Sequence, residues 1–79
     1  MAVYISLEKV SENDDCVVYK YSNDAVNYGH LQLNKSTGII QEIVSYPNDS
    51  EKFVFMRASR KIYLCYKKGS YPDRTCWAS

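Results

Sequence analysis

Residues 39–65 read Ile39-Ile-Gln-Glu-Ile-Val-Ser-Tyr-Pro-Asn-Asp-Ser-Glu-Lys-Phe-Val-Phe-Met-Arg-Ala-Ser-Arg-Lys-Ile-Tyr-Leu-Cys65, and the apolar period changes inside them. Residues 39–46 read as a strand that Pro47 stops, because proline cannot donate to a ladder. Asn48 and Glu51 then stand three apart, the spacing of a capping side chain and its reciprocal acid. Phe55, Ala58, Ile62 and Cys65 follow at spacings of three, four and three, which draws one apolar stripe along a helix. Gly69 stands where a left-handed cap would end it, so a helix is expected over residues 50–68.

Upstream of this switch the period is two. Val3, Ile5 and Leu7 alternate with polar neighbours over 2–10, and Val17, Tyr19 and Tyr21 share one face of a strand over 16–22. Leu31 and Leu33 do the same over 28–34, and Asn34 to Gly38 is a hairpin turn whose glycine takes positive φ without steric cost. The expected fold is α+β: a four-stranded antiparallel β-meander followed by one C-terminal helix packed on one sheet face. The tail, residues 69–79, is expected to fold back. Pro72 forces it extended, and Trp77 needs burial, with Leu64 and Phe53 of the helix as the expected cover.

Seventy-nine residues suit a single domain over 1–79, and 46% hydrophobic with 24% charged residues argues against disorder. Cys16, Cys65 and Cys76 are odd in number and widely spaced, and no apolar leader or membrane-length run is evident. Three free thiols in a reducing cytoplasm are expected.

Catalytic chemistry is hard to assemble from these residues. His30 is the only histidine and stands at no ligand spacing from a cysteine, so neither a metal nor a cofactor is expected. Asp14 and Asp15 are adjacent and diverge on a strand, and the three glycines form no phosphate loop. The protein is not expected to be an enzyme.

Charge divides the chain. Residues 1–49 carry three lysines against seven carboxylates, net −4; residues 50–79 carry seven cations against Glu51 and Asp73, net +5. Two surfaces follow. One is the acidic set of the first two loops, Glu12, Asp14, Asp15 and Asp24, with Tyr19 and Tyr21 as aromatic anchors beside them. Glu12, Asp14 and Asp15 form one cluster, and Asp24 lies at the opposite end of a meander. The other is the helix face away from the core stripe, Phe53, Arg57, Arg60, Leu64 and Lys67. Each also has a plain structural reading: solvated turn residues for the first, a seat for the tail for the second.

Three segments resemble a known family: Tyr28-Gly-His-Leu-Gln-Leu-Asn-Lys-Ser-Thr-Gly38, Arg57-Ala-Ser-Arg-Lys-Ile62, and Lys67-Lys-Gly-Ser-Tyr-Pro-Asp-Arg-Thr-Cys-Trp-Ala-Ser79. From residue 28 onward the chain resembles small bacterial immunity proteins encoded beside polymorphic toxins, including those of contact-dependent growth inhibition. The resemblance implies a cytoplasmic protein, monomeric in a 1:1 complex, that binds the C-terminal domain of a cognate toxin and blocks its active site. Such toxins are often nucleases with basic clefts, which would favour the acidic loops as the partner-binding surface, without direct nucleic-acid or membrane binding. The competing expectation is a small nucleic-acid-binding regulator using Arg57, Arg60, Lys61, Lys67 and Lys68; a structural subunit of a larger assembly is a third.

Overall fold

In the computed structural model, which describes residues 4–49 and 51–78, a five-stranded sheet carries one helix on one face. The elements are β1 (Tyr4–Glu12), β2 (Cys16–Ser22), β3 (Gly29–Asn34), β4 (Ile40–Val44), α1 (Phe53–Lys68) and β5 (Arg74–Ala78). The sheet order is β4-β3-β2-β1-β5, antiparallel throughout. The α+β class and the helix on the sheet are as the periods indicate, but the sheet has one strand more than the four expected. The tail pairs with β1 as β5, bringing Trp77 opposite Ile5 and Thr75 opposite Leu7. Its alternation of Thr75 and Trp77 with Arg74 and Cys76 is a period-two pattern, and Pro72 delivers it extended. β1 runs on to Glu12 through an irregularity between Lys9 and Ser11; the expected residues 2 and 3 lie outside the described residues.

The helix begins later than its apparent capping pair indicates. Asn48 and Lys52 both adopt the left-handed region, with φ of 61° and 58°, and the first helical residue is Phe53. The cap is Asp49. Its buried carboxylate accepts the N–H groups of Val54 at 3.2 Å and Phe55 at 3.1 Å, satisfying two of the free donors of the first turn. The far end ends as expected at Gly69, φ 73°: Gly69 N–H donates to the Tyr66 carbonyl and Ser70 N–H to that of Cys65. This is the paired bonding of a Schellman cap.

The core lies between the helix and one sheet face. Ile5, Leu7, Val17, Tyr19, Tyr21, Leu31 and Leu33 face Val54, Ala58 and Ile62, and Tyr46 closes one end. The stripe on α1 is Val54, Ala58, Ile62 and Cys65; Phe55, expected in it, is half-buried and lies against the Tyr21 ring. Tyr21 fits because Gly29 stands opposite it across the ladder: a Cβ there would sit 2.5 Å from the ring. The Cα radius of gyration, 11.6 Å, equals the roughly 11.6 Å expected of a folded chain this long.

Candidate interaction surface

The acidic residues of the loops are mostly engaged within the fold. Glu12 lies between Lys9 and Lys35, each 2.6 Å away, and hydrogen bonds from Lys35 and then Lys9 hold its carboxyl below the usual range. Lys9 also reaches Asp73 at 3.4 Å. Asp24 accepts the backbone N–H groups of Asn27 and Val26 and the Asn27 side-chain amide, which pushes its carboxyl far below the ordinary value. Asp24 therefore closes the β2–β3 loop, and Glu12, Asp14 and Asp15 stand at the other end of the sheet. Asp14 and Asp15 are exposed and form no ion pair among the described residues.

Tyr19 and Tyr21, expected as anchors for a partner, are core residues with 0% exposure. They share a face with Val17, and that face lies under the helix. Tyr19 donates its hydroxyl hydrogen bond to the Pro72 carbonyl, and Tyr21 donates to Glu42 at 3.4 Å. Burial first, then neighbouring charge, pushes both phenols up from their ordinary value. Neither ring is available to a second molecule.

The outward face of α1 is different. Phe53, Met56, Tyr63 and Leu64 are exposed, Met56 at 62%, with Arg57, Arg60 and Lys67 interleaved. The Arg57 guanidinium lies 3.4 Å over the Phe53 ring, Arg60 lies 5.9 Å from the Trp77 ring, and the Lys67 ammonium lies 5.9 Å from Tyr63. Stacking of this kind fixes long cations in place and keeps their charge exposed to solvent. The helix carries Arg57, Arg60, Lys61, Lys67 and Lys68 and no carboxylate, and none of these five cations enters an ion pair among the described residues.

The five residues expected on this face, Phe53, Arg57, Arg60, Leu64 and Lys67, are thus brought together. Met56 and Tyr63 belong with them, and the same helical spacing places them there: each lies three residues after, and four before, another member of the face. Trp77 packs elsewhere than expected. Instead of covering Leu64 and Phe53, which stay exposed, it reaches the helix from β5 and lines a cleft of about 370 Å³ with Met56, Arg57 and Arg60.

The open face of the sheet makes the contrast. A smaller cleft of about 230 Å³ there is lined by Tyr4, Ser6, Glu8, Lys20, Tyr28 and Arg74. Its charges satisfy one another, Glu8 lying 3.5 Å from Lys20 and 3.7 Å from Arg74. Among the described residues no three His, Cys, Asp or Glu side chains gather as a metal site, and no helix is long and apolar enough to cross a membrane. Comparison with family models, curated proteins and solved structures gives no match.

Proposed function

We propose that the protein is a non-catalytic immunity protein of the bacterial cytoplasm, binding a cognate toxin domain one to one and covering its active site. The observation that carries the reading is the outer face of α1: exposed Phe53, Met56, Tyr63 and Leu64 interleaved with Arg57, Arg60 and Lys67, which have no ion-pair partner among the described residues. Aromatic, methionine and arginine side chains are the enriched constituents of protein interfaces and of their energetic centres. Unpaired cations beside them steer an acidic surface into register and repel a basic one. The contact surface is then the helix rather than the acidic loops. The partner's matching surface is acidic, as around the carboxylates of a metal-dependent nuclease site.

The test is growth rescue. The C-terminal domain encoded by the neighbouring toxin reading frame is expressed in a sensitive bacterium with this chain or its variants. The wild type and Asp14→Lys with Asp15→Lys protect; Arg57→Glu with Arg60→Glu does not. Protection by the arginine variant with loss in the aspartate variant would return the contact to the loops.

A second reading has its own observation: five helix cations without one carboxylate also suit a phosphate backbone. A regulator of this kind binds a duplex or single-stranded oligonucleotide with an affinity that falls steeply with salt. An immunity protein shows no such binding.

A further inference from the structure

β5 is an edge strand. It pairs with β1 on one side and, among the described residues, with no strand on the other. The phase of its ladder follows from the bond that Lys9 N–H donates to the Asp73 carbonyl at 2.8 Å. Residues 9 and 73 continue the register that sets Glu8 opposite Arg74 and Leu7 opposite Thr75. Hydrogen-bonded and non-hydrogen-bonded pairs alternate along an antiparallel ladder. Thr75 and Trp77 therefore turn their backbone groups towards β1, and Arg74, Cys76 and Ala78 turn theirs outward.

The two edges of the sheet are not alike. The β4 register is broken by a shift between His30 and Leu31, an irregularity of the kind that protects an edge, and Pro47 follows soon after. The β5 register runs unbroken over five pairs, without proline or lysine in the strand. Its outward backbone groups lie beside the cleft that Trp77, Met56, Arg57 and Arg60 line.

We propose that β5 receives an extended acidic segment of the partner protein as a sixth strand of the sheet. The inference rests on the reading of this face as a protein-binding surface and adds how the partner is held. Backbone groups of the segment pair with those of Arg74, Cys76 and Ala78. Every second side chain faces the helix: an apolar one packs against Trp77 and Met56, and a carboxylate meets the Arg57 and Arg60 guanidiniums. Main-chain bonds supply affinity and the cleft supplies choice of side chain, as in other strand additions.

The probe is a short, end-capped, fluorescent peptide whose alternate, helix-facing positions carry valine and glutamate in turn and whose other positions carry threonine, offered to the full chain. Binding is read by fluorescence anisotropy, and amide hydrogen exchange is followed at Arg74, Cys76 and Ala78. The peptide should bind and slow exchange at these amides by about tenfold or more, the effect of one good hydrogen bond. The lysine counterpart and a peptide N-methylated on its β5-facing amides should not bind. Cys76→Pro removes one outward N–H without touching a bond to β1 and should weaken binding by about tenfold, whereas Cys76→Ala should not. Should the proline variant not fold, the N-methylated peptide decides. Binding with the three amides unprotected, or equal binding of the lysine peptide, overturns the proposal. So does protection of these amides in the free chain by self-association, seen as concentration-dependent sedimentation. A toxin domain that is neutralised while the Cys76 amide stays unprotected overturns the strand addition alone. If the peptide adds but the toxin domain is not bound, the immunity reading alone fails.

Discussion

Two halves of the chain carry opposite net charge, and the folded protein treats them differently. In the first half, Glu8, Glu12 and Glu42 lie in ion pairs, and Asp24 and Asp49 hold backbone N–H groups. Among the described residues, Asp14 and Asp15 are the carboxylates of this half left without an ion pair or such a backbone bond. In the second half the five cations of α1 have no partner among the described residues, and all belong to one helix. An excess of −4 thus leaves only a small acidic turn at the surface, whereas an excess of +5 becomes a coherent patch. Segment charge becomes surface charge only where the groups are not engaged in holding the backbone or one another.

The sharpest way to break this comparison is to remove an engaged carboxylate and a free one. Asp49→Ala strips two N–H groups at the start of α1 of their acceptor, and a loss of about 2 kcal/mol is expected, read from the urea midpoint. Asp14→Ala should stay within about 0.5 kcal/mol. Equal losses would remove the distinction between the two kinds of acid.

Titration sharpens the same point. Glu12 and Asp24 have folded-state values below their unfolded ones, so their contribution is present above the ordinary carboxylate range and lost as pH falls through the lowered values. Stability should decline below about pH 4, and Asp24→Asn should flatten that decline in acid-unfolding curves. The buried Tyr19 and Tyr21 act at the other limit. Their folded values are raised, so their contribution holds below the unfolded value and is lost with rising pH, from about pH 10 upward. Absorbance at the phenolate band should show two of the tyrosines ionising only with unfolding.

The smallest effect belongs to the helix patch. Arg57→Ala and Arg60→Ala break no ion pair among the described residues and should leave the midpoint within about 0.5 kcal/mol of the wild type while abolishing partner binding. A marked destabilisation would mean that the stacking on Phe53 and Trp77 serves the fold instead.

Much of this architecture is legible in the residues. β2 and β3 fall within one residue of their expected bounds, because strict alternation fixes which face is buried. The turn glycine, Gly38, and the cap glycine, Gly69, both take positive φ as their positions require. What escapes sequence is what depends on distant partners. β5 is five residues long, and only the open edge of β1, far away in the chain, makes it a strand. The start of α1 depends on Asp49 reaching forward between two left-handed residues, a geometry that the spacing of Asn48 and Glu51 imitates but does not contain. For the surface, helical periodicity finds the outer face. Closeness in sequence to the acids makes Tyr19 and Tyr21 look like contact residues, although their shared face with Val17 already marks them as core.

Because β5 closes the sheet against β1, the order of synthesis matters. The meander and helix emerge from the ribosome before Arg74 to Ala78, so the nascent chain carries β1 as an unpaired edge, with Ile5 and Leu7 along it, until β5 has emerged. The last pairing also joins residues more than sixty positions apart, the slowest kind of contact to form. A newly made molecule therefore passes through a stage in which β1, and not β5, offers its backbone to neighbours, and the docking of β5 ends that exposure.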